Sequence, residues 1–166
     1  MPESDLIVLG LDPGSRCTGY GVVRERSGVV TLVDVGTVRP PSGAELAERL
    51  GYIYDGLSEV IQKCSPGEAA LENVFVSKNA SSALKLGQAR GAALVACSVN
   101  RLPTAAYEPT VIKKTIVGVG RADKKQVAFM VGQILGVRPN WAADSSDALA
   151  AAICHLNQRR WQRMAV

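Results

Sequence analysis

The stretch Leu6-Ile7-Val8-Leu9-Gly10-Leu11-Asp12 decides the fold, because it is a short apolar run that carries no charge until its last residue. A run of this length and composition predicts a strand that is buried on both faces. The turn-forming residues Pro13-Gly14-Ser15 follow directly. Asp12 is therefore predicted to lie where a central strand opens onto a loop. An unpaired carboxylate is costly in a dry site, so this charge needs compensation.

The length of 166 residues predicts a single domain spanning residues 1–166. No apolar stretch approaches the roughly 20 residues that span a bilayer, and the acidic start does not resemble a signal peptide. The four cysteines form no C-x-x-C pair, so we expect free, mostly buried thiols and a cytoplasmic protein. The net charge of +4 is weak evidence for nucleic-acid binding. Basic residues nevertheless concentrate in one region: Lys113, Lys114, Arg121, Lys124 and Lys125.

The first half of the chain predicts a sheet with one crossover. Residues 18–23 and 29–35 predict two strands that form an antiparallel meander with the first, and the glycines of the second strand allow close backbone approach. Apolar spacings of three and four predict a helix over residues 46–61. Residues 69–72 then predict a strand ending in Glu72. A strand reached through a helix lies parallel to an earlier strand, so we expect Glu72 beside Asp12.

The second half is predominantly helical in pattern. Residues 77–99 predict a helix of very small residues, which suits either a core or a subunit interface. Residues 103–107 predict a fifth strand, and Pro109 opens a short helix that runs to residue 117. Another helix is predicted to start at Asp123 or the residue before it. Its inner side would carry Val127, Met130, Val131, Ile134 and Leu135.

The last helix carries Asp144 and Asp147, which are three residues apart and so share one face. We expect that face to lie against the sheet, because it continues into Ala151. Asp12 and Glu72 are thereby predicted to meet the two helical aspartates at one end of the sheet. Four such carboxylates repel one another unless cations intervene. Oxygen ligands suit Mg²⁺, and two ions about 3.5–4 Å apart promote phosphodiester displacement.

Each acid also has a structural interpretation when taken alone. Asp12 would form a turn, and Glu72 would be a surface charge at a strand end. Asp144 would be a helix N-cap, and Asp147 would interact with the helix dipole. The functional interpretation rests on the one topology that gathers all four.

The motifs around these acids resemble those of the RuvC family of bacterial endonucleases, which resolve four-way (Holliday) DNA junctions. The resemblance begins with Leu9-Gly-Leu-Asp-Pro-Gly-Ser-Arg-Cys-Thr-Gly-Tyr-Gly-Val22 and continues in Leu71-Glu-Asn-Val-Phe75. It extends through residues 78–91 and 117–120 to Asp144-x-x-Asp147-Ala-Leu-Ala150. The motifs cover nearly the whole chain in the family's order.

The resemblance implies a ribonuclease-H-like fold, with a five-stranded mixed sheet of three antiparallel and two parallel strands flanked by helices. It implies a homodimer that makes paired, symmetric nicks in recombination and repair, with the branch-migration proteins RuvA and RuvB as partners. Two Mg²⁺ ions per active site are expected, with Mn²⁺ as a substitute. Catalysis and metal ligation fall to Asp12, Glu72, Asp144 and Asp147, and DNA contact is expected from Phe75, Lys78, Lys113, Arg121 and Lys124.

The resemblance further matches Phe75 to an aromatic wedge at the junction centre and the small-residue helix to the dimer region. The lysines alone are also typical of solvated helix surfaces, and Phe75 alone is compatible with a core position. Ser145 and Ser146 depart from the alanines common in the family, and Asn73 departs from a common glutamine.

Three competing functions are distinguishable. Another nuclease of the same fold, such as a ribonuclease H, would prefer an RNA–DNA hybrid. An actin-like ATP-binding protein would need two duplicated lobes, whereas this chain has one. A silent junction-binding scaffold would not need an intact set of acids.

Overall fold

The computed structural model describes residues 5–73 and 79–165. These residues contain one five-stranded sheet in the order β3-β2-β1-β4-β5. The strands are β1 (Asp5–Asp12), β2 (Thr18–Arg26), β3 (Val29–Val38), β4 (Glu68–Glu72) and β5 (Thr104–Tyr107). β1 pairs with β2, and β2 with β3, in antiparallel orientation. β4 lies parallel to both β1 and β5, so the predicted mixed sheet is confirmed.

Five helices cover the two faces of the sheet in the described residues. They are α1 (Leu46–Cys64), α2 (Ala80–Val99), α3 (Pro109–Val117), α4 (Lys124–Leu135) and α5 (Ala143–Met164). One core packs α3, α4 and α5 on the sheet, and the other packs α1 and α2 on the opposite face. Successive β1 residues serve different cores: Val8 faces the first, and Leu9 faces the second. This alternation follows from the two-residue period of a strand, and it confirms that β1 is buried on both faces.

Local signals place the helix ends. Asp123, the predicted helix start, is the N-cap of α4, and it forms a complete capping box with Gln126. Asn79 caps α2, which begins at Ala80; the predicted start at residue 77 lies outside the described residues. The prediction that Ile134 lies on the inner side of α4 is wrong, because Ile134 is exposed.

The cysteines agree in part with the prediction. All four are free, and Cys97 and Cys154 are buried, but Cys17 and Cys64 are only half-buried. No described helix combines the length and the low polarity that crossing a membrane requires.

Candidate active site

Asp12 is the last residue of β1, and it lies half-buried opposite Gly19 of β2. The parallel neighbour β4 ends at Glu72, and the register pairs Leu11 with Leu71. Both strands therefore deliver a carboxylate to the same end of the sheet, as expected from the parallel pairing. Because both strands are buried and closely packed, the backbone positions of the two acids are fixed.

Helix α5 brings two more carboxylates to this point because glycines remove the side chains that would block it. A Cβ added at Gly19 would lie 2.3 Å from the carbonyl oxygen of Asp144 and 2.8 Å from its Cβ. A Cβ at Gly10 would lie 1.8 Å from the carbonyl oxygen of Ala148, and one at Gly21 would meet Leu149. The helix backbone thus lies directly on β1 and β2, which places its N-terminus over the end of the sheet.

Three of the four predicted acids form a compact group. Asp12, Asp144 and Asp147 each offer a carboxylate oxygen, and these oxygens lie within 4.8 Å of one another. Glu72 lies outside this group of three, but it lines a cavity of 120 Å³ together with Asp147. The prediction that α5 faces its two aspartates toward the end of β1 is therefore confirmed, whereas the N-cap interpretation of Asp144 is wrong, because Ala142 occupies that position.

The carboxylates shift one another's protonation. Burial, followed by the charges of Asp147, Asp144 and Glu72, raises the pKa of Asp12 to about 7. Burial and the charge of Asp147 also raise the pKa of Glu72. Like charges within a few ångströms disfavour joint ionisation, and a bound cation would relieve this repulsion. The donor set consists of hard oxygen ligands, which fits a divalent ion such as Mg²⁺ better than a soft metal.

Two lysines from neighbouring helices balance part of this negative charge. Lys124 Nζ donates to Asp147 Oδ2 at 3.2 Å, and the charge of Asp147 raises the pKa of Lys124. Lys113 of α3 lines the same 120 Å³ cavity as Glu72 and Lys124. From these positions the two lysines would reach a phosphate that lies beside the acids. Positive charge near a developing oxyanion lowers the reaction barrier.

Comparison with known proteins identifies the fold and the family. The model of the family "crossover junction endodeoxyribonuclease RuvC" matches residues 8–155. The chain belongs to the RuvC family. RuvC of Oleidesulfovibrio alaskensis is 64% identical over 165 residues, which cover 99% of each chain. RuvC of Solidesulfovibrio magneticus is 62% identical and covers 96% of this chain and 95% of its own.

Solved structures agree with this assignment. Thermus thermophilus RuvC in complex with a Holliday junction substrate superposes with a TM-score of 0.87 and 34% identity, over 95% of this chain and 96% of that chain. The yeast mitochondrial resolvase Ydc2 is only 10% identical but reaches a TM-score of 0.64, which shows a shared fold. The ribonuclease-H-like fold expected from the motifs is confirmed, and the chain is a member of a family of endodeoxyribonucleases.

The residues that depart from common RuvC patterns have partners in this structure. Ser145 Oγ donates to the Gly36 carbonyl of β3 at 2.7 Å. Ser146 Oγ accepts a hydrogen bond from Trp141 Nε1 at 2.8 Å. Asn73 Nδ2 donates to Glu108 Oε1 at 2.9 Å. The two serines therefore anchor the turn of α5 that carries Asp144 and Asp147.

Sequence reasoning missed two residues next to the acids. Arg90 of α2 donates to the backbone carbonyl of Glu72 at 2.8 Å and so supports the end of β4. The Cys17 thiol lies beside Asp144, and burial together with this carboxylate raises the pKa of Cys17 to about 11. Both contacts join distant parts of the chain, and no local pattern announces them.

One of the remaining predicted DNA-contact residues, Arg121, lies in the described part of the chain. Arg121 is exposed in the loop between α3 and α4, and it is not one of the residues that line the 120 Å³ cavity. Phe75 and Lys78 lie outside the described residues, so their predicted roles remain predictions.

Proposed function

We propose that this chain resolves four-way DNA junctions by paired, symmetric nicks in strands of like polarity, in homologous recombination and DNA repair. The observation that carries the proposal is the convergence of Asp12, Asp144 and Asp147 within 4.8 Å, beside Glu72, in a RuvC-family chain. The solved relative bound to a Holliday junction substrate supports this substrate class.

Asp12, Glu72, Asp144 and Asp147 would hold two Mg²⁺ ions, with Mn²⁺ as a substitute. When bound, such ions activate a water and stabilise the leaving oxygen of a phosphodiester. The raised pKa of Asp12, to about 7, is the expected signature of a pocket that needs cations to carry its full negative charge. The carboxylates themselves bind and orient, and the chain needs no histidine or serine nucleophile.

The lysines would act on the substrate. Lys113 and Lys124 lie on the α3–α4 side of the acids, where they would neutralise the scissile phosphate and its neighbour. Lys124 also holds Asp147 through their hydrogen bond. Phe75 would insert at the junction centre, an action that unstacks bases. Lys78 and Arg121 would contact the sugar–phosphate backbone outside the site.

The proposed active form is a cytoplasmic homodimer, because two symmetric nicks need two active sites related by a two-fold axis. Helix α2 offers a surface suited to close packing of a second copy. Gly87 and Gly91 have open space around their missing side chains, and Leu84, Val95 and Val99 are exposed on the same helix. RuvA and RuvB are the branch-migration partners that this function implies.

The test is a synthetic four-way junction incubated with the protein and Mg²⁺, with every nick mapped. We expect two symmetric nicks across the junction. Asp12→Asn should abolish nicking but leave junction affinity largely intact, because losing a metal ligand harms chemistry more than backbone contact does. The matched control is Asp55→Asn, since Asp55 is exposed on α1.

Two results would contradict the proposal. One is nicking by the Asp12→Asn variant at the wild-type rate. The other is preferential cleavage of an RNA–DNA hybrid or a plain duplex in a parallel substrate panel, which would favour another nuclease activity on this fold.

A further inference from the structure

A basic groove is lined by residues of α1 and α2, which pack on the sheet face opposite to α3 and α4, the helices of Lys113 and Lys124. It consists of two adjoining cavities of 480 Å³ and 360 Å³, which share Ser15, Arg16 and Arg49 as lining residues. The first cavity extends to Arg39 at the end of β3, and the second extends to Ser82 and Lys85 of α2. The groove therefore runs from the loop after β1 toward the first turns of α2.

The cations of this groove are not neutralised within the described chain. Arg16, Arg39, Arg49 and Lys85 form no ion pair with the acids of residues 5–73 and 79–165. Among the residues that the structure describes, the Arg39 side chain donates only to Thr37 Oγ1, and that of Arg49 only to the Ala44 carbonyl. Surface arginines commonly find a carboxylate, so four unpaired cations along one groove favour an anionic ligand from outside.

The lining residues restrict the chemistry of that ligand. Neither cavity is lined by a carboxylate or by an aromatic ring. Guanidinium groups with serine hydroxyls donate hydrogen bonds to phosphate oxygens, whereas stacking of an unpaired base needs an aromatic platform. The groove thus suits a sugar–phosphate backbone and not a splayed base.

The groove begins next to the acids. Ser15 is three residues after Asp12, so their Cα atoms are at most about 11 Å apart at roughly 3.8 Å per step. Cys17, in the same loop, lies near both Asp144 and Arg39, whose charges act on its thiol in opposite directions. At about 3.4 Å of axis per nucleotide, this separation equals about three nucleotides.

We propose that this groove is a second phosphate-binding track, which holds the cleaved DNA arm within about three nucleotides of the cut. Lys113 and Lys124 then contact the backbone on one side of the acids, and Arg16, Arg39, Arg49 and Lys85 contact it on the other. The inference rests on the proposed junction cleavage and adds the path of the DNA across the site. Clamping the backbone on both sides would position the scissile phosphate over the carboxylates.

The test measures affinity for a synthetic four-way junction in EDTA, where no nicking occurs, at several salt concentrations. The variant Arg16→Gln with Lys85→Gln removes two exposed cations that have no bond to the described chain. We expect binding to weaken about tenfold and the slope of log affinity against log salt to fall by about 2, since each phosphate contact contributes about 1. The charge-preserving variant Arg16→Lys with Lys85→Arg should restore most of both.

The matched control is Arg101→Gln with Arg138→Gln, which removes the same charge at exposed positions away from the acids. A second measurement replaces single phosphates near the cut by neutral methylphosphonates. The wild type should lose affinity at the contacted phosphates, and the groove variant should not respond there. The proposal of a second phosphate-binding track would be overturned if the groove variant kept the wild-type salt slope, or if the control variant lost as much junction affinity. Neither result would bear on junction nicking. Failure of the wild type to nick the junction would instead reject the proposed function.

Discussion

Asp12 shows at the scale of one residue why the site demands a cation. Its carboxylate is half-buried at the end of a strand whose residues 6–11 are all apolar, and three further acids lie close enough to repel its charge. Burial and this repulsion raise its pKa to about 7. Near neutral pH, ionisation of Asp12 therefore costs free energy in the metal-free native protein. A group that is costly when charged is a useful ligand only when a positive ion shares the pocket.

The first prediction concerns the stability of the metal-free protein. An unfolded aspartate releases its proton near pH 3.8, but native Asp12 retains it up to about pH 7. Between these values the native state binds more protons, so Asp12 lowers stability as the pH rises. The Asp12→Asn variant should therefore gain stability over the wild type from pH 4 to 7, by up to about 4 kcal/mol, and the gain should level off above. Thermal or urea unfolding in EDTA measures it.

Mg²⁺ provides the control for this prediction. Binding to the native wild type adds stability by mass action, so saturating Mg²⁺ should reduce or reverse the advantage of Asp12→Asn. A stability difference that stays flat between pH 4 and 7 would contradict the raised pKa of Asp12.

At the scale of elements, the approach of α5 to β2 decides the geometry of the site. Gly19 lies so close to the backbone of Asp144 that there is no room for a side chain between them. The glycine is therefore a positioning residue, because it acts on the carboxylates through the seat of the helix. Local sequence indicates only that a glycine interrupts a strand.

The second prediction is that Gly19→Ala pushes the start of α5 away from Asp12. Overpacking of this kind costs about 1–3 kcal/mol, and a shift of about 1 Å in reacting groups lowers rates by up to about a hundredfold. We expect junction nicking to fall by about tenfold to a hundredfold while junction binding changes little.

Gly51→Ala is the matched control, since Gly51 lies in α1 with nothing within 4 Å of its missing Cβ. That substitution should leave nicking unchanged and stabilise the fold by about 0.5–1 kcal/mol through helix propensity. If the Gly19→Ala variant nicks at the wild-type rate, the close packing of α5 on β2 does not control the geometry of the site.

At the scale of the whole molecule, β4 carries one acid of the site at its end, Glu72, and one acid that helps to hold α5 at its start, Glu68. His155 of α5 contacts Glu68, at the start of β4, and also Tyr107, the last residue of β5. Arg159 also pairs with Glu68, and Arg160 pairs with buried Glu25. Arg159 and Arg160 thus hold α5 on the sheet through these ion pairs.

The third prediction separates these roles through Glu68. Burial alone would raise the pKa of Glu68, but hydrogen bonds from His155 and Arg159 outweigh it and lower the pKa. A lowered pKa contributes stability above the unfolded value of 4.5 that is lost as the pH falls. Glu68→Gln should cost about 1–3 kcal/mol at pH 7, and this cost should shrink below pH 4.5.

Junction nicking by Glu68→Gln at 25 °C should match the wild type, because Glu68 lies at the start of β4 and the acids lie at the strand ends. Glu59→Gln, at an exposed position of α1, is the control for a lost carboxylate. Unfolding monitored by circular dichroism measures the cost, and a nicking defect without a loss of stability would refute the separation.

Sequence by itself determined the strands, the parallel crossover and the helices, because alternation, helical spacing and turn residues act over a few neighbours. The positions of Asp12 and Glu72 at strand ends and of Asp144 and Asp147 on one helical turn follow from the same local rules. Helix α4 shows the limit of such reasoning: its start near Asp123 was predicted correctly, but the exposed Ile134 was assigned to the inner side. Helical spacing identifies an apolar face without specifying how far its neighbours cover it.

Only the tertiary structure decided how close the acids come and what surrounds them. The carboxylate oxygens of the three aspartates lie within 4.8 Å of one another because the glycines of β1 and β2 allow α5 to pack closely on these strands. The raised pKa of Asp12 depends on that grouping. The support of Glu72 by Arg90 and the groove shared by Arg16, Arg49 and Lys85 join residues that are far apart in the chain. Such contacts depend on packing distances between elements, which no local pattern of residues encodes.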